Sequence, residues 1–217
     1  MKISTVLTLL QLSLALAMSG RLQGAGAELL VSSHMDIWRA GGYDDGSDGV
    51  PPATYSFAAG RGQVFTFLEA GSWSCGATPK YGPDGSTTTV CQPHSIDNPI
   101  GTFSGYESTD FVGALVGMFL EDTLPTSAPP PLRFYVSNNT EGGIPTDFQV
   151  LVPQIGQVFF IGDGLTGTGT GAYQAFAVPP TATHLYLGYV DSCSNSVPSC
   201  YYNNLGVVKV ALRLQVR

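Results

Sequence analysis

Short apolar runs separated by glycine, proline and polar turn residues dominate the chain. Phe111–Leu120 is nearly all apolar and predicts a buried central strand, and Gln157–Gly162 predicts a second one. The last run, Val207–Val216, alternates apolar and polar side chains, which is typical of a strand with one buried face. No segment shows helical periodicity of useful length. The pattern therefore predicts an all-β fold.

The first part of the chain predicts three more strands. Glu28–Ser33 is the first, and Met35–Trp38 is expected to continue or restart it. Ala53–Ala58 and Gln63–Leu68 flank Gly60–Gly62, a glycine-containing connection that indicates a hairpin.

The second part adds runs of similar length with proline or glycine between them. They are Leu132–Ser137, Thr146–Val152, Tyr173–Val178 and Leu185–Tyr189. Many short strands with regular turn signals are typical of a sandwich or a barrel. With 27 glycines and 15 prolines in 217 residues, the composition also disfavours long helices.

The N-terminus has the pattern of an export signal. A charged start at Lys2 precedes an apolar run, Val6–Met18, and small residues follow at Ala25–Ala27. A membrane anchor is the alternative, but the run is shorter than the roughly 20 residues that span a bilayer. We predict a signal peptide over residues 1–27, cleaved after Ala27 or, as the alternative, after Ala17. The protein would then be secreted, to the extracellular space or the periplasm.

Charge and cysteine content fit an exported domain. There are 9 basic against 16 acidic residues, so a phosphate-backbone partner is not expected. Four cysteines in an exported chain indicate disulfides. Cys193 and Cys200 lie in one loop and are the natural pair, which leaves Cys75 with Cys91. The two other connectivities remain open.

The candidate site is a polar stretch between the last two apolar runs. Asp191 ends one run, and Asn203 and Asn204 precede the next. Carboxylate and amide oxygens are the ligands that Ca²⁺ prefers. The alternative is an ordinary disulfide-closed surface loop, because Asp and Asn are common turn residues. The acidic loop Gly41–Gly49 lacks the order of an EF-hand and is interpreted as a solvated loop.

Catalytic signals are weak. The histidines at 34, 94 and 184 are not at metal-ligand spacing, and no Gly-x-Ser-x-Gly motif nominates a nucleophile. Gly162–Gly164, which carries Asp163, is interpreted as a turn rather than the position of a general base. We therefore predict a protein without enzymatic activity.

Several stretches, taken in order, are similar to one family. They are Gln63–Phe67, Ala70–Gly76, Lys80–Gly85, Gly113–Val116, Tyr189–Asp191 and Asn203–Gly206. Together they resemble the LecA/PA-I galactophilic lectin family, small bacterial jelly-roll β-sandwiches that bind galactose through a Ca²⁺ ion. The resemblance implies a jelly-roll-like antiparallel β-sandwich, a single domain over residues 28–217.

The resemblance also implies a ligand set for the calcium ion. It comprises the backbone carbonyl of Cys75, the Asp191 carboxylate, the backbone carbonyl of Cys200, and the side chains of Asn203 and Asn204. Sugar hydroxyl groups would complete the coordination shell.

Sugar contacts are implied for Asp191, Ser192 and Asn204. Gln92 or His94 would stand in for the family's His-Pro-Asp-Gln segment, which this chain lacks. The chain also departs from the family in its longer loop, Ser192–Tyr201, and in roughly forty extra residues that predict an inserted hairpin around 118–157.

We accordingly expect a secreted, calcium-dependent, galactose-type carbohydrate-binding protein without catalysis, which could form a homo-oligomer. The alternative is a structural or adhesive cell-surface β-sandwich module. In that module calcium is structural or absent, and no sugar is bound.

Overall fold

The computed structural model describes residues 26–76, 80–86, 95–108, 113–135, 142–193 and 196–216. Its strands are β1 Gly26–Ser32, β2 Ala53–Ser56, β3 Gln63–Cys75, β4 Tyr106–Ser108, β5 Val116–Leu120, β6 Leu132–Tyr135, β7 Ile144–Pro145, β8 Val150–Leu151, β9 Val158–Phe160, β10 Leu165–Gly167, β11 Thr170–Tyr173, β12 Ala175–Ala177, β13 His184–Gly188 and β14 Asn204–Val216. Two short 3₁₀ helices span Ile37–Gly42 and Tyr201–Asn203. The predicted all-β class is confirmed.

Two sheets pack face to face around one apolar core. One has the order β1-β14-β3-β12-β8 and the other β2-β13-β5-β9. Contacts between aromatic rings join the two sheets. Phe65 on β3 lies 5.9 Å from Phe119 on β5, and Phe159 on β9 lies 5.6 Å from Phe176 on β12, centroid to centroid. All four rings are fully buried, so the fold is a β-sandwich.

The longest pairing joins β3 and β14. They run antiparallel without a break in register, from Gln63 opposite Val216 to Cys75 opposite Asn204. Because side chains alternate between the faces of a strand, odd-numbered residues of β3 and even-numbered residues of β14 face the core. This ladder brings the two ends that carry Cys75 and Asn204 together.

Two local predictions are wrong. Ala53–Ala58 and Gln63–Leu68 do not form a hairpin, because β2 pairs with β13 while β3 pairs with β14 and β12. The glycine-rich connection crosses from one sheet to the other. Met35–Trp38 does not continue the first strand either. Met35 and Asp36 make only isolated bridges, and a 3₁₀ helix begins at Ile37.

The described strands in the region around 118–157, where the sequence predicts an inserted hairpin, pair in another way. Strands β6 and β7 pair in parallel with each other, and β6 pairs in parallel with β4. Strand β8 pairs in parallel with β12. This region thus extends one sheet by an edge strand and, together with β4, builds a smaller three-stranded sheet.

The predicted disulfide Cys193–Cys200 is present, with 5.8 Å between the Cα atoms. Cys75 is also disulfide-bonded. Its predicted partner, Cys91, lies outside the described residues.

At the N-terminus, Ala27 pairs with Leu212 within β1, so cleavage after Ala27 would remove the first two residues of that strand. Residues 1–25 of the predicted signal peptide lie outside the described part. Within that part, no helix has the length and apolar character needed to cross a membrane.

Candidate functional site

Asp191 and Asn204 meet at one end of the sandwich, although they belong to different sheets. Asp191 follows β13, the strand paired with β5 in the four-stranded sheet. Asn204 is the first residue of β14 and lies opposite Cys75, the last residue of β3. The site is therefore assembled where the two sheets end side by side.

The Asn204 amide is buried and binds two oxygen atoms through its nitrogen. Nδ2 donates a hydrogen bond to Asp191 Oδ2 at 2.7 Å and another to the Ser33 carbonyl at 3.1 Å. Asn204 is only 1% exposed, and its Oδ1 has no hydrogen-bond partner in the described structure. Burying an amide oxygen without a hydrogen-bond donor costs free energy of folding. This oxygen is therefore free to accept a hydrogen bond or to coordinate a cation.

A small cavity of about 10 Å³ adjoins these groups. Its lining comprises Trp73, Cys75, Gly113, Tyr189, Val190, Asp191 and Asn204. The volume suits a single water molecule or ion rather than a sugar ring. A saccharide would therefore have to approach from outside the sandwich.

The Asp191 carboxylate is partly withdrawn from water. Burial raises its pKa to about 6, while hydrogen bonds from Asn204 and from the Ser192 backbone oppose the rise. Asp48 adds a smaller increase through its negative charge. At neutral pH the carboxylate is mostly ionised but poorly solvated, and a cation beside it would offset that penalty.

The turn that carries the asparagine pair is fixed by a residue that sequence reasoning missed. Asp48 accepts hydrogen bonds from the backbone nitrogens of Tyr201 and Tyr202, at 3.2 and 3.0 Å. The Tyr201 hydroxyl donates to the Tyr189 carbonyl and accepts from the Asp191 nitrogen, both at 3.2 Å. Tyr201 thus ties the turn to the strand end that presents Asp191.

The acidic loop Gly41–Gly49 is largely exposed, as the sequence predicts, but Ser47 and Gly49 contact buried residues. Asp36, just before it, is fully buried; its Oδ1 accepts from the Trp38 nitrogen and its Oδ2 from the Ser47 hydroxyl. Burial first, and then Asp45, raise the pKa of Asp36 to about 8. The loop also approaches Tyr201 closely: a Cβ at Gly49 would lie 3.0 Å from that ring.

The other predicted ligands lie beside the cavity rather than in its lining. Asn203 is exposed, and its backbone nitrogen donates to the Cys200 carbonyl at 3.5 Å. Cys200 has a left-handed backbone, with φ of 69°, which reverses the chain before the 3₁₀ turn. Ser192 is 1% exposed, so its side chain is not presented to solvent. The predicted sugar contacts Gln92 and His94 lie outside the described residues.

A much larger groove lies elsewhere. It measures about 500 Å³ and lies along β1, β14 and β3, where Thr66, Leu68, Tyr173 and Arg213 are among its lining residues. It shares no lining residue with the Asp191 cavity. The groove is therefore separate from the end of the sandwich where Asp191 and Asn204 meet.

Comparison with known proteins adds no relative. No protein-family model matches the chain, and no curated protein matches it closely. The likeness to the galactophilic lectins consequently rests on the ordered stretches of sequence alone.

Proposed function

We propose that this protein is a secreted, calcium-dependent carbohydrate-binding protein of the galactose type, without catalytic activity. The observation that supports it is the juxtaposition of Asp191 and Asn204 in the lining of one cavity, together with the buried Asn204 Oδ1, which has no hydrogen-bond partner in the described structure. In this proposal the ion is held by Asp191, Asn204 and Cys75. Asn203 and Cys200 would contribute from the adjoining turn.

The residues present fit a calcium ion through oxygen chemistry. Asn204 Nδ2 lies where the Asp191 carboxylate and the Ser33 carbonyl converge. If the amide turned, Oδ1 would join these two oxygens, and a cation would hold three such oxygens together. Among the described residues, no group of three His, Cys, Asp or Glu side chains could hold a metal. The site would therefore depend on amide and carbonyl oxygens, and Ser33 becomes an additional candidate ligand.

Exposed groups beside the cavity support sugar binding at the same place. Asn203 is exposed, and Tyr202 next to it is 74% exposed. A tyrosine offers an apolar ring face and a hydroxyl group together, which suits the mixed surface of a sugar. Calcium, if bound, would supply a positive centre to which sugar hydroxyl groups could coordinate.

Calorimetry with the charge-removing variant Asp191→Asn tests the proposal. The wild-type protein should bind Ca²⁺, and galactose only when Ca²⁺ is present. At a calcium concentration of about a hundred times Kd, the ion should stabilise the fold by about 2.7 kcal/mol. The variant should lose both effects. Asp122→Asn is the matched control, because the Asp122 side chain is 78% exposed and lies against His184. An Asp191→Asn protein with wild-type calcium affinity would refute the assignment.

A second candidate is a structural or adhesive module in which calcium only stabilises the fold. The observation that favours it is enclosure, since Asn204 is 1% exposed and the cavity admits no sugar ring. The same titrations separate the two functions. Calcium binding without any saccharide binding, on a glycan array in saturating Ca²⁺, would favour the module.

A further inference from the structure

An acidic residue, Glu69, faces the interior of the sandwich. Alternation along β3 puts it on the same face as Phe67 and Trp73, both of which are buried. The residue as a whole is partly exposed, but both of its carboxyl oxygens are inaccessible to solvent and have no hydrogen-bond partner in the described structure. A carboxylate in this position has lost its water and gained no donor.

The turn Gly162–Gly164 lies beside this carboxyl group. A Cβ at Gly164 would come within 3.1 Å of Glu69 Oε2 and would collide with the Phe67 carbonyl. A Cβ at Gly162 would collide with Asp84 Oδ1. Both glycines have positive φ, 61° and 75°, so the turn is shaped to pass close to two carboxyl groups.

The two acidic neighbours of Glu69 accept hydrogen bonds from backbone N–H groups. Asp163 accepts hydrogen bonds from the backbone nitrogens of Leu165 and Gly169, at 2.9 and 2.5 Å. Asp84 Oδ1 accepts from the Asp163 nitrogen at 2.8 Å. Each of these carboxylates stabilises the turn through backbone donors, whereas the Glu69 carboxyl oxygens have no hydrogen-bond partner in the turn.

Charge and burial act on Glu69 in the same direction. Burial raises the pKa of its carboxyl group well above the usual value of 4.5, and the negative charges of Asp163 and Asp84 raise it further; its own backbone N–H opposes them slightly. The buried Tyr189 hydroxyl, on the other sheet, also has no partner, and Glu69 adds to the rise of its pKa caused by burial. No basic group is among the charges acting on Glu69.

We propose that Glu69 is a protonation switch, a neutral carboxylic acid in the folded sandwich whose ionisation weakens the packing of β3 against the Gly162–Gly164 turn. A metal ion instead of the proton is not favoured, because Glu69, Asp84 and Asp163 do not form a group that could hold a metal.

The direction of the effect follows from linkage. Because the carboxyl group binds its proton more tightly in the folded state, folding takes up a proton above about pH 4.5. The stabilising effect is complete below that pH and is lost as pH rises through the folded-state pKa. In this window Glu69 lowers the folding equilibrium constant by up to about tenfold per pH unit.

The test compares unfolding of the wild type and Glu69→Gln in urea from pH 4 to pH 8. The variant keeps the shape of the side chain but cannot ionise. The ratio of its folding equilibrium constant to that of the wild type should therefore be at least about tenfold larger at pH 7 than at pH 4. Glu28→Gln is the control, because that carboxylate lies on the same sheet but is 61% exposed and paired with Lys209. A constant difference between wild type and Glu69→Gln across the whole range would overturn the proposal.

A second measurement is independent of how well the glutamine variant folds. The ¹³C chemical shift of the Glu69 carboxyl group in the wild type should show a titration midpoint well above 4.5. In Asp84→Asn that midpoint should fall, because a negative charge is removed while an amide oxygen can still accept from the Asp163 nitrogen. A wild-type midpoint near 4.5, or one unmoved by Asp84→Asn, would refute the switch.

Discussion

Replacing Asn204 by alanine removes the contact that joins the two sheets at the candidate site. The variant loses the 2.7 Å hydrogen bond to the Asp191 carboxylate and the 3.1 Å bond to the Ser33 carbonyl. A bond to a charged group contributes about 1.5–3 kcal/mol, and a neutral one about 0.5–1.5 kcal/mol. Both acceptors would be left without this donor, so we expect a loss of about 2–4 kcal/mol of unfolding free energy without calcium.

Thermal unfolding in chelator measures this loss. For a chain of 150–250 residues, 1 kcal/mol shifts Tm by about 2–4 °C, so the variant should melt roughly 4–16 °C lower. The matched control is Asn203→Ala, because Asn203 is exposed and should change stability by no more than about 0.5 kcal/mol. Equal losses in the two variants, or a loss below about 1 kcal/mol for Asn204→Ala, would refute the reasoning. With calcium added, the wild type should gain stability and Asn204→Ala should gain little.

Three further perturbations test other parts of the structure. Tyr202→Ala, which removes a 74% exposed ring, should weaken galactose binding about tenfold or more in calorimetry and leave calcium affinity unchanged; equal losses of both would contradict its assigned place. Gly113→Ala should cost about 2 kcal/mol or more in urea unfolding, because Gly113 has φ of 62° and a Cβ there would overlap the Trp73 ring; wild-type stability would refute this. Burial and Asp45 raise the pKa of Asp36 from 3.8 to about 8, so the stability that its bound proton contributes is present below pH 3.8 and is lost as pH rises through 8. Asp36→Asn should therefore flatten the dependence of unfolding free energy on pH between these values, and an unchanged pH dependence would contradict this assignment.

The strand pattern could be predicted because burial leaves a period-two signal. Two predicted runs correspond to observed strands. The alternation in Leu212–Val216 lies in β14, and the end of the apolar run Phe111–Leu120 forms β5. Pairing could not be predicted in the same way, because alternation says which side is buried but not which strand lies next. For that reason the Gly60–Gly62 connection indicated a hairpin, whereas it links strands of two different sheets.

The candidate site, like the fold, could be predicted from the sequence only in part. Asp191 and Asn204 could be nominated from their oxygen chemistry and from the family resemblance, and the structure brings them within hydrogen-bond distance. Asp48 and Ser33 gave no signal, because each reaches the site from more than 150 residues away in sequence. An Asp in a glycine-rich loop has many uses, and a backbone carbonyl has no sequence signature at all.

The β3–β14 ladder explains why polar chemistry collects at this end of the sandwich. One part of its inner face is apolar, with Phe65 and Phe67 in the core. From Glu69 to Asn204 the same inner face carries a carboxyl group and an amide beside the buried Trp73, Val208 and Val210.

Two glycines of the ladder, Gly71 and Gly206, adopt positive φ and lie against neighbouring backbone. A Cβ at Gly71 would come within 2.5 Å of the Val207 carbonyl. Both glycines are exposed, so they shape the backbone of the ladder rather than the apolar packing. Polar groups buried at this end of the sandwich need a hydrogen bond, a proton or an ion to compensate their burial. Asn204 and Glu69 each lack one such compensation in the described structure, which is why calcium at the first and a proton at the second are the ligands to measure.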